Sequence, residues 1–130
     1  MRSRPVYLLS GGFRQLISPF AETLGVPLDR VFANRLLFDE DGAYAGVDPE
    51  ELASQPSGKA RIIAALKERH GYQSVLMIGD GANDMQSRDC TEHDGADTFV
   101  GFGGVKVREV VRAGADWFVT DFGDLIDELE

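Results

Sequence analysis

The chain has one cysteine, no long apolar run and few basic residues, and each shortage excludes something. Cys90 is alone among 130 residues, so no internal disulfide can form, which suits a reducing compartment such as the cytoplasm. No apolar stretch approaches the roughly 20 residues of a membrane-spanning helix, so no membrane association is expected. Lys and Arg number 13 against 22 Asp and Glu, a net charge of −9. That balance argues against nucleic-acid binding, which runs on clustered basic residues. An anionic ligand would need a local cationic site: a metal ion, a lysine or a helix N-terminus. Internal repeats and low-complexity tracts are also absent. Residues Met1 to Arg4 are too few for a signal or transit peptide. The hydrophobic content of 43% is enough for a core and excludes global disorder. The length fits one domain.

Apolar runs alternate with helical periodicities along the chain. Pro5 to Leu9 reads as a buried strand ending in Ser10-Gly11-Gly12, which opens a helix. Phe13, Leu16, Ile17, Phe20 and Leu24 recur at helical spacing, and Gly25 stops that helix. Val31 to Ala33 is a short strand. Leu36 to Phe38 and Tyr44 to Gly46 flank Asp41-Gly42, a strong hairpin signal. A polar loop, Pro49 to Pro56, precedes a helix capped by Ser57 and ended by Gly71, with Ile62, Ile63 and Leu66 facing inward. Ser74 to Ile78 is a buried strand, Ala82 to about Ser87 a short helix, Thr98 to Gly101 a strand, Gly104 to Ala113 a helix and Asp116 to Val119 the last strand. Asp121 caps a final helix with Phe122, Leu125, Ile126 and Leu129 on one face. This alternation predicts an α/β fold, a Rossmann-like parallel sheet with helices on both faces, plus a small β-hairpin. Ligands of such sheets bind beyond the carboxyl ends of the strands, where Ser10 and Asp80 are both expected.

Three groups of residues carry chemistry in this frame. Ser10, Gly11 and Gly12 offer a hydroxyl and free N–H groups to an anion, although serine is also an ordinary helix cap. Lys59 falls in the first turn of its helix, where it opposes the helix dipole. A local rule broken without visible gain points to function. In Gly79-Asp80-Gly81-Ala82-Asn83-Asp84 an apolar strand ends in a glycine-flanked turn with two carboxylates four residues apart. Oxygen ligands of this kind suit Mg²⁺. Asp80 could bind the ion directly, Asp84 could bind through water or hold Lys59, and Asn83 could reach a phosphate oxygen. Arg108, after Gly103-Gly104, could face the site but is read first as a helix-surface arginine.

In this order, the three groups resemble the haloacid-dehalogenase-like phosphatases. Within that superfamily, Leu9-Ser10-Gly11-Gly12-Phe13, Phe32-Ala33-Asn34-Arg35-Leu36, Gly58-Lys59, Gly79-Asp80-Gly81-Ala82-Asn83-Asp84-Met85, Phe102-Gly103-Gly104 and Trp117-Phe118-Val119-Thr120-Asp121-Phe122 are similar to the phosphoserine phosphatases. The resemblance runs from about Val6 to the end. It implies Mg²⁺-dependent hydrolysis of O-phospho-L-serine in serine biosynthesis. Ser10, Gly11, Gly12, Lys59 and Asn83 would bind the substrate's phosphate. Lys59 would be catalytic, neutralising charge on nucleophile and phosphoryl group. Asp80 would be both catalytic and a metal ligand, and Asp84 the second metal residue.

The resemblance also implies what is missing. Family members begin with a strand ending in Asp-x-Asp-x-Thr, whose first Asp is the nucleophile, followed by a small cap that reads the serine moiety. No Asp-x-Asp-x-Thr occurs in these 130 residues. Asp39-Glu40-Asp41 imitates its start, but belongs to the hairpin signal. The chain is therefore expected to be a single, N-terminally truncated core domain, doubtful as an enzyme alone. Its expected partner is a second copy or a complementing N-terminal chain. An absent central strand would leave a gap of about 10 Å between two open sheet edges, to be closed by direct pairing, tolerated by loose packing, or filled by a partner. Two other functions stay open: a catalytically dead phosphate- or metal-binding module, and one half of a split enzyme. A leader in a missing N-terminal part would redirect the chain to an organelle.

Overall fold

The computed structural model describes residues 4–53 and 55–130. It divides into two compact units, Ser3–Gly58 and Lys59–Glu130.

The first unit holds β1 (Leu8–Phe13), α1 (Arg14–Leu24), β2 (Val31–Asn34), β3 (Leu36–Phe38) and β4 (Tyr44–Val47). β1 and β2 are parallel, with Leu8 beside Val31 and Leu9 beside Phe32. Parallel neighbours need a crossover, and α1 supplies it. Ala21 of α1 is fully buried with Val31 and Ala33, and Leu8, Ile17 and Val26 pack around them. Gly25, at φ 74°, ends α1 in the left-handed conformation and returns its N–H to Ala21 and Glu22 carbonyls, a conformation glycine takes at little cost.

Two expectations are corrected here. Ser10-Gly11-Gly12 does not open the helix: β1 runs through it, and α1 begins at Arg14 with Phe13 as its N-cap. The ladder skips across this segment, because the pairing after Leu9–Phe32 resumes only at Phe13–Asn34. Four steps on β1 thus face two on β2, a bulge made cheap by two residues without side chains. The helical stripe is also wider than the core it covers. Ile17 and Ala21 face inward, while Leu16 (65%), Phe20 (70%) and Leu24 (70%) lie exposed. The hairpin forms as expected. Its turn is a three-residue loop, with Asp39 N–H bonded to the Ala43 carbonyl at 2.9 Å and Gly42 at φ 82°, the geometry of a turn followed by a glycine bulge. Asp39 Oδ1 accepts from the Asp41 and Ala43 amides, each at 2.9 Å. The Asp39 carboxylate therefore shapes a turn, consistent with setting Asp39-Glu40-Asp41 aside as a nucleophile motif.

The second unit holds α2 (Gly58–His70), β5 (Leu76–Gly79), α3 (Ala82–Asp89), β6 (Thr98–Phe102), α4 (Glu109–Gly114), β7 (Trp117–Val119) and α5 (Phe122–Leu129). Its sheet is all parallel, in the order β5-β6-β7, with Ile78 beside Val100 and Gly101 beside Phe118. Phe99, Val100, Val111, Val119 and Leu125 are its buried apolar residues on the strands and on α4 and α5. Gly71, at φ 70°, ends α2, and the Asp121 carboxylate caps α5 by accepting from Gly123 N–H at 2.6 Å, both as expected. Ser57, expected as the cap of α2, stands directly before it with φ 55°. α4 starts five residues later than expected. Gly104 is there for close approach, since a Cβ would stand 2.4 Å from the Phe102 ring and 2.7 Å from the Thr120 carbonyl oxygen. β5 was expected to be buried, yet it is an edge strand with Leu76 41% and Ile78 39% exposed. Its apolar composition reads as full coverage, but among the described residues only one side has a neighbour.

Two carboxylate nodes tie the helices of this unit to its strands. Lys67 of α2 pairs with Asp94 and Asp97, each at 2.9 Å, and Asp97 also accepts from Val75 N–H at 2.8 Å. Arg88 of α3 reaches Asp116 at 2.9 Å and the Gly114 carbonyl at 2.8 Å, and Asp116 accepts from Phe99 N–H at 2.8 Å. Burial pushes Asp97 up, but the Lys67 and Val75 hydrogen bonds and the Lys67 charge outweigh it and hold the carboxyl below its ordinary range. The Phe99 N–H, then the Arg88 guanidinium, hold Asp116 low as well. A carboxyl whose pKa is lower folded than unfolded stabilises the fold above its unfolded pKa, about 3.9 for Asp. That contribution is lost as pH falls through the lowered folded value. Stability is thus expected to be flat near neutrality and to fall below about pH 4. Acid titration of Trp117 fluorescence checks this, and D97N and D116N should each flatten the acid limb.

Candidate functional site

The acidic turn is built by the ends of β5 and α3. β5 stops at Gly79, Asp80 stands just beyond it, and Gly81 is the N-cap of α3. Asp84, three residues into α3, folds its carboxylate back so that Oδ2 accepts from Gly81 N–H at 3.1 Å. Its Oδ1 accepts from Lys59 Nζ. Ser87 Oγ donates to the Asp84 carbonyl at 2.6 Å. Lys59 and Asp84 are only 7% and 6% exposed. Two charges this far from water persist only when each satisfies the other. The lysine that was anomalous in the first turn of α2 is thus accounted for: it is bound to the acidic turn. Gly79 makes this possible by close approach, since a Cβ there would stand 2.3 Å from both Cγ and Oδ2 of Asp84.

Asp80 is held differently. Arg108, the N-cap of α4, donates through Nη1 to Asp80 Oδ2 at 2.9 Å and to the Asp80 carbonyl at 3.1 Å. The two side chains are 41% and 62% exposed. Arg108 is therefore not the helix-surface residue expected from the sequence. The signal in the sequence was its place after Gly103-Gly104, beyond the end of a strand; that this strand lies beside β5 is shown by the structure. Asn83 is exposed on the first turn of α3.

Ser10, Gly11 and Gly12 belong to the first unit. Ser10 Oγ accepts from Gly12 N–H at 3.0 Å, and the buried Asn34 donates through Nδ2 to the Gly11 carbonyl at 2.8 Å. Asn34 thus braces the bulged segment, a role that the Phe32-Ala33-Asn34-Arg35 motif did not reveal on sequence alone. Gln15 pairs with both backbone groups of Leu36, donating to its carbonyl at 2.9 Å and accepting from its N–H at 3.3 Å. The structure therefore brings Lys59, Asp80, Asn83 and Asp84 together in one unit, while Ser10, Gly11 and Gly12 share the bulged part of β1 in the other.

The donors at the acidic turn are oxygens only, the chemistry of a hard cation. Among the described residues no three His, Cys, Asp or Glu side chains converge on a point, so a dedicated cage is absent there. Mg²⁺ fits such a set, because it keeps several waters and takes one or two carboxylates plus phosphate oxygens. Asp80 is the more exposed of the two carboxylates, with Arg108 as its partner. Asp84 has both oxygens engaged, which favours the holding of Lys59 over direct coordination.

Comparison with known proteins agrees with this geometry. The profile of the haloacid dehalogenase-like hydrolases matches residues 2–87. The chain is 43% identical over 129 residues to phosphoserine phosphatase of Homo sapiens, covering 99% of this chain and 55% of that protein. It is 44% identical over 125 residues to the chloroplastic phosphoserine phosphatase of Arabidopsis thaliana, covering 96% of this chain and 41% of that one. The chain thus spans about half the length of these relatives. A phosphoserine phosphohydrolase-like protein from Francisella tularensis shares the fold with a TM-score of 0.79, at 23% identity, over 97% of this chain and 56% of its own. The Gly-Asp-Gly-x-x-Asp turn, the buried lysine paired to it and the matched profile lead to one assignment: the chain belongs to the haloacid dehalogenase-like hydrolase family.

Proposed function

We propose that this chain carries the charge-clamping and metal-binding part of a phosphoserine phosphatase, which hydrolyses O-phospho-L-serine to L-serine and phosphate. The observation that carries the reading is the buried Lys59–Asp84 pair at the end of β5, in a chain 43% identical over 99% of its length to a protein of that name. The nucleophilic aspartate comes from a segment outside these residues. Lys59, fixed by Asp84, presents an ammonium to the nucleophile and the phosphoryl oxygens. Preorganised charge of that kind is the main source of rate in phosphoryl transfer. Asn83 of the second unit binds a phosphate oxygen, and Ser10, Gly11 and Gly12 of the first unit carry a hydroxyl and backbone N–H groups of the kind that suit an anion. Asp80 holds Mg²⁺, with Asp84 behind it. When bound, the ion polarises a phosphoryl oxygen and offsets its charge. No helix among the described residues is long and apolar enough to cross a membrane, and the single cysteine fits a reducing compartment, the cytoplasm or an organelle interior.

The test is a substrate panel with Mg²⁺, using the chain mixed with the N-terminal part of the human relative that it does not match. O-phospho-L-serine should be turned over well ahead of O-phospho-L-threonine and p-nitrophenyl phosphate. Equal turnover of all three would support a hydrolase of the family but reject the phosphoserine assignment.

A further inference from the structure

We infer that Arg108 competes with a divalent cation for Asp80, so that its guanidinium is the resident counter-ion of this carboxylate until a metal displaces it. The inference rests on the reading of Asp80 as the ion-binding carboxylate. Its own support is the two-point contact. Arg108 Nη1 sits 2.9 Å from Oδ2 and 3.1 Å from the main-chain oxygen of the same residue. A cation is thus already placed against an oxygen that the ion would use. Three other basic groups of this unit are paired elsewhere: Lys59 with Asp84, Arg88 with Asp89 and Asp116, and Arg112 with Glu109.

The pair is built to be displaced. Asp80 is 62% and Arg108 41% exposed, so water screens their attraction and the contact is weak compared with the buried Lys59–Asp84 pair. Arg108 precedes a six-residue helix and follows an exposed stretch in which Val105 is almost wholly in solvent, so few packed groups oppose its withdrawal. The consequence of this competition is weaker affinity for the metal. It also holds Asp80 in one place while no ion is bound.

The experiment is calorimetric titration of Mg²⁺ into this chain and into R108A, R108K and D80N. R108A should bind Mg²⁺ about fivefold more tightly, the scale of one unit charge removed from a few ångströms away at an exposed site. R108K, which keeps the charge, should stay near the parent. Binding that R108A leaves unchanged or weakens overturns the inference and leaves the metal reading standing. Absence of Mg²⁺ binding in the parent, or binding that D80N does not reduce, overturns the metal reading and the inference with it. A second measurement does not depend on the fold of any variant. In the parent chain, the Arg108 side-chain N–H resonances should shift with the same half-saturation as the Asp80 amide. Arg108 resonances that stay fixed while the Asp80 amide saturates also overturn it.

Discussion

Replacing Lys59 with alanine is expected to destabilise the second unit by about 3–5 kcal/mol, the usual cost of leaving one member of a buried ion pair behind. The size follows from burial. Lys59 and Asp84 side chains are each 8% exposed, so the carboxylate left in K59A cannot recover its hydration. Its remaining partner is the Gly81 N–H at 3.1 Å, too little to offset a buried charge. Removing both charges should hurt less. In K59M/D84L the second substitution should restore part of the loss, the unpaired Gly81 N–H accounting for the remainder. Urea denaturation followed by Trp117 fluorescence reads these values directly. A loss below about 1 kcal/mol in K59A would place the pair among ordinary surface contacts. In a complemented enzyme the same variant should lose at least a hundredfold in rate, the loss that follows from the proposed placement of this charge against the reacting phosphoryl group.

The second large effect is expected at Gly79. In G79A the new methyl would stand 2.3 Å from Cγ and Oδ2 of Asp84, well inside contact distance. Asp84 cannot simply swing away, because it is buried and bonded at both oxygens. Either β5 shifts or the carboxylate leaves Lys59. Overpacking of this kind costs about 1–3 kcal/mol, a smaller loss than in K59A. The larger effect is on chemistry. Moving Lys59 or Asp80 by about 1 Å is enough for a hundredfold loss in rate. G79A should therefore separate the two readouts, remaining folded at low temperature while the complemented activity drops by about two orders of magnitude. A G79A protein within twofold of the parent in rate would mean that the placement of Asp84 does not matter for the reaction.

Much of this was legible in the residues. Gly-Asp-Gly-x-x-Asp after an apolar run determined the strand, turn and helix around Asp80, because glycine and carboxylate chemistry are local. Asp41-Gly42 marked the hairpin for the same reason. Lys59 was visible as a local misfit, and its partner Asp84 was one of two roles open to that carboxylate. The rest depended on what lies beside what. The Ser10 segment reads as strand end plus helix cap, and only the register against β2 shows the bulge and the Asn34 brace. The Arg108–Asp80 contact requires β5 and β6 to be neighbours, which no local pattern states. The apolar residues on β5, α1 and α5 read as core positions. Leu16, Phe20, Leu24, Ile78 and Ile126 nevertheless remain exposed, and burial depends on a covering partner that a residue's own neighbours in sequence do not announce.

The most direct test of the central claim is phosphate release from O-phospho-L-serine with Mg²⁺ by three samples: the chain alone, the N-terminal part of the human relative alone, and the two mixed in increasing ratio. The expected result is no turnover by either part and turnover in the mixture that saturates at one to one and disappears in K59A. Turnover by the chain alone would contradict the claim that its nucleophile comes from elsewhere. Silence of a mixture that demonstrably associates would contradict the claim that Lys59, Asp80 and Asp84 form the working half of a phosphatase site.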